Sequence, residues 1–136
     1  SSSSRGLGDV YKRQLQADGG TRTAAITGAW VALRIATEKM LLAGSITRQP
    51  VRENVAAISC GIWQGMPVAD LDYIEDSNAE IDANFVLSGN GGLVEIQATG
   101  EERPFRRDEL DQLLDLAEAG CKQLFTLQDG AVRAAL

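Results

Sequence analysis

The chain has 136 residues, 44% of them hydrophobic and 24% charged, which is the composition of an ordinary globular domain. It contains no histidine, and this excludes Ser/His and Cys/His catalysis and the common zinc sites. The formal net charge of −6 argues against a generic nucleic-acid-binding surface, so a polyanion would need a local basic patch or basic residues from another chain. We expect no membrane partner, because no apolar run is long enough to span a bilayer.

Residues 1–14 differ from the rest of the chain, because they show neither apolar periodicity nor a helix cap. From Ser4 to Gln14 they resemble the in-frame translation of a transposon adapter used to prepare sequencing libraries. The alternative is a genuine disordered tail. We therefore expect a non-native or disordered leader at 1–14 and one domain over 15–136.

The longest apolar segment predicts a helix over 21–43. Residues 15–17 would be the end of a strand that enters a Gly-Gly turn before it. Since the helix is apolar nearly all round, we expect it to be buried, with Trp30 in the core. Gly44 is a candidate for the residue that ends it.

The start of this helix has the features of an anion site. Gly20 allows a tight turn and a close approach of a ligand to the backbone, and Arg22 has a planar fork that matches two phosphate oxygens. The N–H groups of a helix start and the helix dipole favour an anion at the same place. The alternative is a plain turn with Asp18 or Thr21 as the cap and Arg22 in solvent.

The remaining segments predict two hairpins and a second helix. The hairpins are strands 55–62 and 68–73 around the Gln64-Gly65 turn, and strands 85–87 and 93–97 around the glycine-rich loop 88–92. An amphipathic helix follows at 108–128. This order indicates an α+β fold with a mainly antiparallel sheet packed against helices. We expect Cys60 and Cys121 to be reduced core residues of a cytosolic protein.

An acidic cluster lies between the first hairpin and the second. Its members are Asp70, Asp72, Glu75, Asp76, Glu80 and Asp82. Asp76 and Asp82 are six residues apart, so only a turn or a broken short helix would bring them together, and Ser77 and Glu80 have the capping-box spacing for such a turn. Clustered carboxylates suit magnesium or manganese, and the alternative is a solvated acidic loop.

Five segments resemble bacterial ribonuclease PH in order and spacing. They are residues 15–29, 70–77, 82–86, 94–99 and 104–105. The likeness covers about 15–128 and corresponds to the C-terminal half of that family. It implies a ribonuclease PH-type (ribosomal protein S5 domain 2-like) fold, incomplete in this chain.

The resemblance implies a cytoplasmic, phosphate-dependent 3′→5′ exoribonuclease that trims transfer-RNA 3′ ends and releases nucleoside diphosphates. Members of the family form a hexameric ring and use Mg²⁺ (or Mn²⁺), with inorganic phosphate as co-substrate. Gly20, Thr21 and Arg22 match the residues that hold phosphate. Asp76 and Asp82 match the paired aspartates credited with metal binding or acid catalysis.

The chain departs from the family at Ala83, where methionine is usual, and at Arg106, where a capping Ser or Thr is common. The larger departure is truncation, since a further phosphate-binding arginine and most RNA-contacting basic residues belong to the absent half. We therefore expect the fragment alone to be inactive and an apolar face of its first helix to be uncovered. Two alternatives stay open: a non-catalytic exosome-type ring subunit that channels RNA, and a polynucleotide phosphorylase core.

Overall fold

The structure, a computed structural model, describes residues 20–69 and 78–136. The predicted leader at 1–14 and residues 70–77 lie outside this range. The elements are α1 (Thr21–Leu42), β1 (Val55–Trp63), β2 (Met66–Ala69), β3 (Ile81–Ser88), β4 (Leu93–Gly100) and α2 (Arg107–Ala135). Within the described ranges, neither helix has the length and hydrophobicity needed to cross a bilayer.

The four strands form one antiparallel sheet in the order β2-β1-β3-β4, and both predicted hairpins are present. Gln64 and Gly65 connect β1 to β2 with positive φ angles of 51° and 75°. This two-residue turn matches the right-handed twist of the strands that it joins. In the second hairpin Gly91 has a φ of 88°, which a glycine adopts without steric cost.

The hydrophobic core lies between one face of the sheet and α2. Alternate residues of the two central strands point into it, as the pleat requires. The buried core residues are Ala56, Ile58, Cys60, Ile62, Ile81, Ala83, Phe85, Leu87, Leu113, Ala117 and Cys121. Both cysteines are buried and form no disulfide, as expected, and burial raises the pKa of the Cys121 thiol to about 11.

Helix α1 packs beside β1 through polar and aromatic contacts. The Thr27 hydroxyl accepts a hydrogen bond from the Ala57 N–H at 3.0 Å, and the Trp30 indole N–H donates to the Glu53 carbonyl at 2.7 Å. Gln128 of α2 joins the same region by donating to the Thr27 and Val55 carbonyls, at 3.1 and 2.9 Å. These bonds fix the direction of α1 along β1.

The prediction that α1 is buried is wrong for most of the helix. Its buried residues are Thr23, Trp30 and Thr37, which form a single stripe at seven-residue spacing. Trp30 therefore lies in the core as predicted, but Leu33 is 53% exposed and Leu42 is 79% exposed. One stripe is all that β1 and α2 cover, and the expected uncovered apolar face is present.

Several element boundaries differ from the predicted ones. Helix α2 continues to Ala135, past the predicted end at residue 128, because Val132 is buried beyond Gly130. Strand β3 begins at Ile81, four residues before its predicted start, and β2 is described only to Ala69. The end of α1 agrees with its prediction within one residue: Gly44 is left-handed, and Ser45 N–H donates to the Met40 carbonyl as in a Schellman motif.

Candidate phosphate and metal site

The three residues predicted to hold phosphate lie at the start of α1. Gly20 is the N-cap with a left-handed φ of 81°, and Thr21, one of the two predicted caps, is the first helical residue. The other predicted cap, Asp18, lies outside the described residues. The Gly20 carbonyl accepts the Ala24 N–H at 2.9 Å and the Thr23 hydroxyl at 2.7 Å. Because glycine has no side chain, the N-cap offers no side-chain acceptor to the N–H groups of the first turn, which suits an anion there.

Arg22 is held by an ion pair that joins α1 to the far strand of the sheet. Its Nη2 atom donates to both carboxylate oxygens of Glu95, each at 3.0 Å. The two side chains are 46% and 35% exposed, so the pair is screened by solvent only in part. Arg22 is thus not a purely solvated side chain, and its guanidinium is directed over β4.

Asp82 lies on β3, opposite Gly61 of β1 and Thr99 of β4. Asp82 is the second residue of β3, so a turn that brings it to Asp76 would have to precede Ile81. Part of that segment lies outside the described residues, and the turn stays a prediction. Its Oδ1 atom is buried, and the residue takes part in a polar interaction. A carboxylate oxygen of this kind is a donor that Mg²⁺ or Mn²⁺ accepts.

Arg22 and Asp82 serve the same face of the sheet. Residues paired across strands share a face, and Glu95 is paired with Val86, which lies on the same side of β3 as Asp82. Four residues along a strand correspond to about 13 Å between Asp82 and Val86. The Arg22–Glu95 pair therefore lies on the same face of the sheet as Asp82, about four residues further along the strands.

Most of the rest of this face is polar, although Ala57 and Val86 are buried apolar residues on it. Asn84 lies between Asp82 and Val86 and accepts a hydrogen bond from the Ser59 hydroxyl at 2.7 Å. Gln97 pairs with Asn84 on the neighbouring strand. We call this surface the polar face; its residues are Ser59, Asp82, Asn84, Glu95, Gln97 and Thr99.

The second predicted aspartate, Asp76, lies outside the described residues, as do Asp70, Asp72, Glu75 and the predicted Ser77 cap. Within 20–69 and 78–136, no group of three histidine, cysteine or carboxylate side chains could hold a metal ion. The described part of the chain therefore contributes Asp82 to the candidate metal site, and the pairing with Asp76 stays a prediction.

Glu80 has a role that the acidic cluster did not indicate. Its Oε1 accepts the N–H of Gly65 in the β1–β2 turn at 3.0 Å, and its Oε2 accepts from Arg103 at 3.1 Å. Its backbone N–H and carbonyl also bond to Ile62 and Glu101. These contacts fix the start of β3, two residues before Asp82.

Arg103 connects this corner to α2. Its Nη2 donates to Glu109 at 2.7 Å, and Glu109 also accepts the Arg106 N–H at 2.9 Å, so it takes the N3 place of a capping box. The hydrogen bonds from Arg103, with that from Arg106, lower the pKa of Glu109 to about 2. Arg106 thus begins the helix through its backbone, without the usual Ser or Thr.

Neither the pairing of Glu95 with Arg22 nor the Glu80–Arg103–Glu109 network was predicted from the sequence. Both depend on residues that are distant along the chain, 73 positions apart for Arg22 and Glu95. The available signal for Glu95 was its alternation with Gln97 and Thr99 on a strand, which places three polar side chains on one face. No feature of the sequence near Glu95 indicated which positively charged side chain would pair with it.

Most of the residues described above lie in a part of the chain that matches a known protein family. Residues 53–120 match the model of the 3′ exoribonuclease family, domain 2. This match includes β1 to β4 and the first half of α2, and therefore both Asp82 and Glu95.

Curated relatives extend the likeness across α1. Ribonuclease PH of Caulobacter vibrioides is 61% identical over 118 residues, which are 87% of this chain and 50% of that protein. Ribonuclease PH of Cereibacter sphaeroides is 58% identical over the same share of both chains. The chain thus spans about half the length of the curated relatives that it matches, and the resemblance seen in the sequence is confirmed.

Among solved structures, rice (Oryza sativa) Rrp46 shares the fold with a TM-score of 0.67 and 17% sequence identity. The alignment covers 88% of this chain and 51% of that chain. The predicted α+β fold is confirmed by this likeness and by the four-stranded antiparallel sheet. The chain belongs to the 3′ exoribonuclease family, and the matched region is domain 2 of that family.

Proposed function

We propose that this chain is part of a phosphorolytic 3′→5′ exoribonuclease that trims the 3′ ends of transfer RNA and releases nucleoside diphosphates. The observation that carries the proposal is its identity of 61% with a protein named Ribonuclease PH over 118 residues. The common face shared by the Arg22–Glu95 pair and Asp82 supports it, because phosphorolysis requires an anion site beside groups that stabilise charge.

In this proposal the start of α1 holds the attacking phosphate. The backbone around Gly20 and Thr21 and the guanidinium of Arg22 orient it toward the last phosphodiester of the RNA. A phosphate oxygen attacks the phosphorus, the bond to the 3′ oxygen breaks, and the terminal nucleotide departs as a diphosphate. Positioning of this kind accounts for most of the catalysis of phosphoryl transfer.

Asp76 and Asp82 would hold Mg²⁺ (or Mn²⁺), whose charge when bound neutralises negative charge that develops in the transition state. Their oxygen donors fit such a hard cation. The departing 3′ oxygen needs a proton, which would come either from one of the two carboxyl groups in its protonated form or from water held at the site. Asp82 is held for this role by strand pairing on both sides.

We further propose RNA 3′ ends as the partner and a hexameric ring in the cytoplasm as the working assembly. Exposed large apolar side chains, three of them on α1, support an assembly larger than this chain, since apolar surface that is contiguous marks contact sites. They include Leu33, Met40, Leu42, Met66 and Leu127. The net charge of −6 means that RNA contacts would come mainly from residues of other parts of the assembly.

The test is an assay of the full-length protein encoded by the source genome on a 3′-extended transfer RNA with Mg²⁺, with and without inorganic phosphate. We expect nucleoside diphosphates only when phosphate is present, and their loss in Arg22→Gln. Glu118→Gln, an exposed change on α2, is the control. The 136-residue chain, assayed in parallel, should release little product, because it spans half the length of its relatives.

Two results would contradict the proposal. Release of nucleoside monophosphates independent of phosphate would indicate hydrolysis. RNA binding by the full-length protein without any product would favour a ring subunit with a structural, RNA-channelling role. In either case Arg22→Gln would leave the measured behaviour unchanged.

A further inference from the structure

Glu95 is a carboxylate placed inside the candidate phosphate site. Its two oxygens lie 3.0 Å from one nitrogen of Arg22, the residue proposed to bind the attacking anion. Two acceptors of the same guanidinium nitrogen can be at most about 6 Å apart, which is twice the usual N–O distance. An anion that binds Nη2 of Arg22 therefore lies within about 6 Å of the Glu95 carboxylate oxygens.

The sheet holds Glu95 in its place beside Arg22. The residue is on β4, paired with Val86 of a central strand, and its side chain is only 35% exposed. Its backbone is fixed by the sheet, and a part-buried charge is screened less by salt than a surface charge. An anion that binds Nη2 of Arg22 therefore meets this second negative group or displaces it.

The consequence depends on whether the incoming anion carries a proton. An ionised carboxylate only accepts hydrogen bonds, so it stabilises an anion that can donate one and repels an anion that cannot. At neutral pH inorganic phosphate and arsenate retain at least one proton, whereas sulfate retains none. A group that penalises the wrong ligand in this way is a source of specificity.

We propose that Glu95 makes the Arg22 site selective for protonated oxyanions, accepting a hydrogen bond from the P–OH of phosphate and excluding sulfate. This inference rests on the proposed function, since it assigns the anion specificity of the same site. Glu95 is in this sense a specificity-determining residue that contacts both Arg22 and the bound phosphate.

The test is calorimetric titration of the full-length protein encoded by the source genome with phosphate, arsenate and sulfate at pH 7 and constant ionic strength. We expect sulfate to bind at least about tenfold more weakly than phosphate, with arsenate close to phosphate. Glu95→Gln should narrow the phosphate-to-sulfate ratio to within about threefold, because the amide keeps an acceptor and loses the charge. Glu118→Gln makes the same charge change on the exposed surface of α2 and should keep the wild-type ratio.

The outcomes separate this inference from the function on which it rests. Equal affinity of the wild-type chain for phosphate and sulfate would overturn the role of Glu95 alone, provided that Arg22→Gln still weakens phosphate binding. An unchanged ratio in folded Glu95→Gln would do the same. Absence of phosphate binding, or binding that Arg22→Gln leaves intact, would overturn the phosphate site itself. The wild-type ratio tests the proposal even if Glu95→Gln does not fold.

Discussion

The two faces of the sheet use the same strands for different purposes. On β3, Ile81, Ala83, Phe85 and Leu87 enter the core beneath α2 and are almost fully buried. The residues between them point to the polar face, where Asp82 and Asn84 lie. Because successive residues of a strand point to opposite faces, residues that stabilise the core alternate with residues that are available for ligand binding. A change on one face should therefore affect mainly folding, and a change on the other mainly ligand binding.

The largest expected effect is that of Phe85→Ala, which removes a fully buried ring from the core. We expect a loss of about 3–5 kcal/mol in the free energy of unfolding, because both burial and packing are lost. Urea unfolding followed by circular dichroism measures it. Gln97→Ala, an exposed change on the polar face, is the control and should shift stability by less than about 0.5 kcal/mol. Comparable losses in the two variants would contradict the separation of the faces.

Replacement of two helical glycines by alanine should change the free energy of unfolding in opposite directions. A Cβ at Gly120 of α2 would clash with Cδ1 of Ile58, whereas a Cβ at Gly28 of α1 would meet nothing within 4 Å. We expect Gly120→Ala to destabilise by about 1 kcal/mol, because Cδ1 of Ile58 must move to make room for the new methyl group. Gly28→Ala should stabilise by up to about 1 kcal/mol, as alanine favours a helix. The melting temperatures of both variants, compared with that of the wild type, measure the two effects. A higher melting temperature for Gly120→Ala would show that α2 packs less closely on β1.

Asp82→Asn should change ligand binding with little change in folding. We expect Mn²⁺ affinity, measured by the electron paramagnetic resonance of the free ion, to fall at least about tenfold, since even supporting residues of metal sites contribute that much. Asp111→Asn, an exposed change on α2, should have no effect. Equal Mn²⁺ affinity in Asp82→Asn and the wild type would remove Asp82 from the metal site.

The smallest expected effect is a pH dependence at the start of α2. The pKa of Glu109 is lowered to about 2 when folded, against about 4.3 for an unperturbed glutamate. A depressed folded pKa stabilises the protein above the unfolded value, and this contribution is lost as the pH falls from about 4.3 towards 2. The stability difference between wild type and Glu109→Gln should therefore be constant near neutral pH and shrink below pH 4. A difference that is the same at pH 3 and pH 7 would contradict the Arg103 contact.

Much of the fold could be predicted because it depends on neighbouring residues. The Gln64-Gly65 turn, the glycine-rich loop before β4 and the Gly44 helix end all follow from local backbone preferences. The position of Trp30 in the core also followed from pattern. By contrast, α2 passes through Gly130 because Val132 packs against the rest of the domain, and this packing overrides the local signal.

The candidate site was predictable only in part. Gly20, Thr21 and Arg22 were predicted from their place at the start of an apolar helix, and Asp82 from the acidic cluster and the family resemblance; their roles stay predictions. The strand that holds Asp82 and the Arg103 network beside it were not found, since Glu80 binds partners 15 and 23 residues away. Such contacts become close only when β1, β3 and α2 are assembled.

The periodicities, the turns and the types of residue available for chemistry depend on local backbone geometry and composition, so they can be read from the sequence alone. The contact between Arg22 and Glu95, and their place on the same face as Asp82, arise only when the strands and α1 are assembled. Only the structure showed that most of α1 is left uncovered by β1 and α2. The physical reason is that burial and ion pairing depend on distances in space, which strand register and helix packing set and which no local pattern records.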